Sequence, residues 1–258
     1  MVPVDSLALA AIGAIAGLLG ALLGIGGGVI VIPALSELYG VPFRHAVAAS
    51  LVVIIASSSA SSAAYVERGA ANLRVGVVLE LATVAGSLAG SAVAGLVPVR
   101  TLKLLFAAIA VYAAGMLWVR RHGASEAAEA GAHEVHGWPG GLALSALAGA
   151  TSGLLGVGGG LFKMPGMTLA MGIPFKVAAA TSNFMIGVTA AAGAYVYFAR
   201  GDLDPLLAAP LVVGVFAGSL AGTSLLPRVP ARRLQGVFAA LVLVLGGRMA
   251  WSVLGGAP

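Results

Sequence analysis

Gly24-Ile25-Gly26-Gly27-Gly28 lies inside one apolar stretch, and Gly156-Val157-Gly158-Gly159-Gly160 lies inside another, 132 residues further on. Each copy has a proline nine residues after its first glycine, Pro33 and Pro165. A glycine in a helix interior costs about 1 kcal/mol relative to alanine. Three in a row within apolar sequence therefore predict a break in a helix. Two equivalent breaks inside a membrane are how many transporters build a substrate site.

Composition sets the surroundings of the breaks. The chain has 258 residues, 60% hydrophobic and 9% charged, against about 25% charged in soluble domains. Mean hydropathy is +1.04. The runs 177–199 and 205–227 contain no charged residue. Each is long enough to cross about 30 Å of hydrocarbon as a helix. The runs are continuously apolar, so helices are expected and an alternating β-barrel pattern is not. Net charge is +5, but the basic residues stand at segment ends, where they anchor to headgroups and set topology. No basic cluster with interleaved aromatics points to nucleic acid. Cysteine is absent, which removes disulfides, thiolate metal sites and cysteine catalysis. The stretch from Leu7 to Leu23 lacks the basic start and cleavage site of a signal peptide and has a counterpart near Gly141 to Leu155, so it is expected to stay.

The offset of 132 holds across nearly the whole chain. Gly40, Pro42 and Phe43 pair with Gly172, Pro174 and Phe175, and Gly86-Ser87-Leu88-Ala89-Gly90 pairs with Gly218-Ser219-Leu220-Ala221-Gly222. The expected fold is an all-α polytopic membrane protein of two homologous repeats, 1–119 and 138–258, integrated in one transmembrane domain. Each repeat reads as about five hydrophobic segments, with helices broken at the GxGGG motif: roughly 6–23, 28–39, 45–66, 75–97 and 101–119, then 138–155, 160–171, 177–199, 205–227 and 233–253. Residues 120–137 read as a polar linker loop, and the metal reading of its His122, His133 and His136 is the weaker one.

The second segment of each repeat is too short to span alone. It is either half of a re-entrant hairpin or the far half of one broken span. A broken span gives parallel repeats and sorts the basic residues five against seven. A hairpin gives inverted repeats and groups Arg44, Arg100, Lys103 and Arg200 against eight others, a cleaner bias. Inverted repeats are therefore expected.

Candidate substrate-binding residues follow from the breaks. At Gly26, Gly27, Gly28, Gly158, Gly159 and Gly160 the backbone is bare and loses helical partners, and free N–H groups at a helix start favour an anion. The competing use of these glycines is close helix crossing. Lys163, three residues after Gly160, is a cation in an apolar segment, costing about 3 kcal/mol at a membrane centre. It is placed to pair with an anionic substrate, and snorkelling is the alternative. Thr181, Ser182 and Asn183, with Ser50 opposite Ser182 in the repeat, could donate to substrate oxygens or bond between helices. Glu80 lies inside an apolar span, suggesting proton coupling or a partner for a buried cation, with an interfacial pair to Arg74 as the rival. The serines at 57, 58, 59, 61 and 62 read as close packing before a polar pathway. No GxxxxGK[ST] or GxSxG motif occurs, and no enzyme, cofactor or metal is expected.

The doubled GxGGG-proline motif and the stretch Ala179-Ala180-Thr181-Ser182-Asn183-Phe184 resemble the TauE/SafE family over almost the full length. The resemblance implies a permease of sulfite, organosulfonates and related small anions, with the six glycines as motif positions. The expected function is thus secondary transport of a small anion by alternating access in the cell (inner or plasma) membrane, multi-pass, with the lipid bilayer as surroundings and a homodimer left open. A non-transporting membrane scaffold or sensor, and a passive anion channel, are the alternatives.

Overall fold

The computed structural model describes residues 5–23, 26–67, 69, 71–123, 136–225 and 231–255. Gly24 and Ile25 of the first motif and most of the polar linker, including His133, lie outside them. Among the described residues the chain is helical, without strands. The first half holds α1 (Ser6–Leu23), α2 (Gly28–Pro33), α3 (Phe43–Glu67), α4 (Leu73–Ala94) and α5 (Val99–Gly123). The second holds α6 (Trp138–Leu155), α7 (Gly160–Pro165), α8 (Phe175–Ala199), α9 (Pro205–Leu225) and α10 (Ala231–Leu254). Every helix of the second half begins 132 residues after one of the first. Parts of α3, α4, α8 and α9 are long and apolar enough to cross a membrane: Phe43–Ala63, Leu73–Ala94, Val177–Ala199 and Pro205–Ser224.

The short second segments are less regular than a single half-helix. After Pro33 and Pro165 the chain continues as π-helical turns, Ala34–Leu38 and Gly166–Ala170. A proline has no N–H for the i→i−4 bond and crowds the preceding turn, and the wider π register relieves that crowding.

Gly27 packs back on Ala16, where an added methyl would stand 2.8 Å from the Ala16 carbonyl oxygen. Gly159 meets Ala148 in the same way, at 2.8 Å. The chain has therefore turned back beside the middle of α1, and of α6, instead of extending its axis. This fold-back fits the hairpin better than the continued span.

Small residues set the helix pairing. Gly13 and Gly17 of α1 abut Leu211 and Val215 of α9, and Gly214 and Gly218 abut Ala10 and Ala14. The numbers rise together, so α1 and α9 run parallel. In the same way Gly86 and Gly90 of α4 press on Ala146 and Ala150 of α6, also parallel. At all of these positions a methyl would run into the facing backbone. Close approach of this kind is how membrane helices gain dispersion energy where lipid removes the hydrophobic drive. By contrast, α3 and α8 run antiparallel: Ser58 Oγ donates to the carbonyl of Asn183 (2.6 Å), while Leu51 lies 3.3 Å from where a Gly193 methyl would sit.

Two arginines close one end. Arg44 at the start of α3 donates to the carbonyls of Gly95 (3.1 Å) and Val97 (3.0 Å). Arg200, just past α8, donates to the carbonyl of Ser91 (3.1 Å) and pairs with Asp202. Both cations thus sit at the C-terminal end of α4, where helix carbonyls lack partners.

Candidate functional site

The two glycine breaks touch. A methyl on Gly28 would overlap the carbonyl oxygen of Gly156. Gly26 (φ 82°) and Gly27 (φ 63°) match Gly158 (φ 81°) and Gly159 (φ 69°) in left-handed backbone. Gly26 faces the side chains of Ile186 and Ile54, on α8 and α3.

One predicted ligand, Ser50, holds this backbone. Ser50 Oγ lies 2.9 Å from the Gly156 carbonyl oxygen and 2.9 Å from that of Val47 in its own helix. A helix of the first half thereby binds the break of the second. The Ser50→Ala variant is expected to lose about 1–3 kcal/mol, because a buried carbonyl loses its donor. The apparent unfolding midpoint in detergent would fall by about 2–4 °C for each kcal/mol. An unchanged midpoint would show that Ser50 does not hold the break. Thr181 Oγ1 accepts from the N–H of Asn72 (2.9 Å), just before α4, and Asn72 Oδ1 accepts in turn from Val75 N–H (3.1 Å). Asn183 Nδ2 donates to Ala179 O (3.3 Å) within α8. Ser182 Oγ is buried with no hydrogen-bond partner among the described residues.

One turn beyond the second break stands the chemically richest group. Lys163 and Glu80 are the charged residues among the buried ones described, 1% and 8% exposed. Lys163 Nζ lies 3.3 Å from Glu80 Oε2 and donates to Thr189 Oγ1 at 2.6 Å. Thr189 Oγ1 donates to Glu80 Oε1 at 2.6 Å, closing a triangle between α7, α4 and α8. The break places Lys163, whose N–H donates to the Gly159 carbonyl (3.0 Å) in the first turn of α7. Glu80 therefore pairs with the buried cation, and Arg74, the rival partner, is exposed. Neither charge snorkels. Each is held where an unpaired ion would cost several kcal/mol.

Sequence reasoning did not single out Thr189, and the offset of 132 would have found it. Its counterpart is Ser57, in the serine run, which accepts from Ser219 Oγ (3.0 Å). Ser219 is the counterpart of Ser87, whose Oγ donates to the carbonyl of Thr189 (2.8 Å). The hydroxyls recur in both halves. The charges do not: Lys163 answers to Val31, and Glu80 to Val212.

A helical bundle with spans of membrane length, two touching backbone breaks and a buried ion pair beside one of them defines a membrane protein of transporter type. The chain belongs to the sulfite exporter TauE/SafE family, whose model matches residues 9–249. A probable membrane transporter protein of Bacillus subtilis, YunE, is 26% identical over 92% of this chain and 94% of its own length. One of Xylella fastidiosa is 29% identical over 89% of each chain. No solved structure matches.

Proposed function

We propose that the protein is a multi-pass secondary transporter of small anions, sulfite or organosulfonates, in the inner or plasma membrane. The observation that carries this is Lys163, a fully buried cation one turn from a backbone break, balanced by one carboxylate. An anion entering between α4, α7 and α8 would find an ammonium and the Thr189 hydroxyl already in place. The touching breaks, Gly28 on Gly156, offer two pseudo-equivalent hinges for alternating access. Two inverted repeats would supply that equivalence. The antiparallel run of α3 and α8, which are counterparts, supports inversion. So does the placement of Arg44 and Arg200 at one end of α4, because parallel repeats would set them on opposite sides.

The test is exchange of radiolabelled sulfite and radiolabelled methanesulfonate by the purified protein in liposomes. Saturable exchange above protein-free vesicles is expected for at least one. No exchange of either, in protein shown to be folded, would overturn the reading in favour of a scaffold. Flux without saturation would assign a channel.

A further inference from the structure

We propose that the Lys163–Glu80–Thr189 triangle carries a proton together with its anion, with the Glu80 carboxylate as the proton site, so that the protein is an electroneutral proton–anion cotransporter. The inference rests on the transport reading above and adds the coupling ion, its site and its stoichiometry.

The argument is a charge count. Lys163 ammonium and Glu80 carboxylate sum to zero, 3.3 Å apart. Among the described residues no other charged side chain bonds to either of them. α6, packed along α4, carries no ionisable residue, and on α7 and its π-helical continuation Lys163 stands alone. α8 presents Thr189 at this level, with its ionisable residues Lys176, Tyr195 and Tyr197 displaced towards its ends and Arg200 just beyond them, engaged at Ser91 and Asp202. On α4 itself Arg74 is exposed. A monoanion arriving at Lys163 would leave this buried place with one uncompensated negative charge, which low-dielectric surroundings penalise heavily. One proton on Glu80 restores neutrality: carboxylate plus proton gives the neutral carboxyl, Lys163 keeps its ammonium, and the anion takes the vacated partner position.

The hydrogen bonding allows both states. With Glu80 ionised, Thr189 Oγ1 accepts from Lys163 and donates to Glu80. With Glu80 protonated, the carboxyl donates to Thr189 Oγ1, and the threonine proton turns to the Met185 carbonyl, 3.2 Å away, or to the anion. A valine at position 189 could not make that reversal. The equivalent positions, Val31 and Ser57 in the first half and Val212 in the second, keep a hydroxyl but neither charge, so one proton and one anion move per cycle.

The probe is radiolabelled methanesulfonate, a monoanion with no titratable group near neutral pH, so any proton that moves with it is carried by the protein. In liposomes of the full chain with a pH-sensitive dye inside, one proton is expected per anion. A gradient of one pH unit should concentrate the anion about tenfold. A clamped membrane potential should leave that ratio unchanged, whereas a monoanion moving alone would shift by roughly fiftyfold per 100 mV. In Glu80→Gln the protons moved per anion should fall towards zero in whatever transport remains, and Glu80→Asp should keep them near one. Net methanesulfonate uptake without proton movement in the wild type would overturn this inference and leave the transport reading standing. Absence of exchange in folded wild type would overturn both for organosulfonates. Should Glu80→Gln fail to insert, the wild-type ratio and its indifference to potential still decide.

Discussion

Lys163→Met is expected to cost the protein about 3–5 kcal/mol and all transport, because it strands the Glu80 carboxylate in the bundle. Glu80→Val alone should destabilise comparably by stranding the ammonium. The double variant Lys163→Met/Glu80→Val should regain most of the stability and none of the transport. Replacing a buried ion pair by apolar groups of similar volume is often neutral or stabilising. This chain carries its own precedent, since the equivalent positions in the opposite halves are Val31, fully buried, and Val212. Thermal unfolding in detergent, with sulfite and methanesulfonate exchange in liposomes, separates the two effects. A double variant as unstable as the singles would show that the pair is structural. A double variant that still transports would remove the site from Lys163.

That prediction depends on a pairing that was only half legible. The glycine runs and the apolar spans could be read because both are local: backbone without side chains, and composition over one helix length. Glu80 and Lys163 each stood out as a charge without a counterpart in the other repeat. The sequence shows their meeting only in general form, as a carboxylate that could partner a buried cation, because hydropathy says nothing about which helix packs on which. The crossing of halves, α1 on α9 and α4 on α6, rests on glycines that recur every four residues, Gly86 and Gly90 or Gly214 and Gly218. In sequence these were evidence of the repeat and only in space contact points. Thr181 and Ser50, read as substrate ligands, bond to the Asn72 amide and the Gly156 carbonyl in this arrangement. Polar groups in apolar sequence signal a partner without saying whether it is substrate or broken backbone. The π-helical turns after Pro33 and Pro165 carry no composition signal beyond the proline itself.

Gly28→Ala is expected to separate the two breaks. Its methyl would overlap the Gly156 carbonyl oxygen and stand 2.9 Å from Ile54 Cδ1. The oxygen belongs to backbone that Ser50 holds, so it cannot step aside as a flexible side chain would. Overpacking of this sort costs about 1–3 kcal/mol. The functional loss should be larger than the stability loss, because the contact joins the two hinges of the proposed alternating access. Gly115→Ala in α5 is the matched control. Gly115 is exposed and helical, and a methyl there meets nothing within 4 Å. Ordinary helix propensity then stabilises by up to about 1 kcal/mol, so the two alanines should shift the unfolding midpoint in opposite directions. Exchange should collapse in Gly28→Ala and persist in Gly115→Ala. If Gly28→Ala matches wild type in midpoint and exchange, the breaks do not press on each other in the working protein, and the hinge has to be sought at Gly26 and Gly158, where left-handed backbone demands glycine.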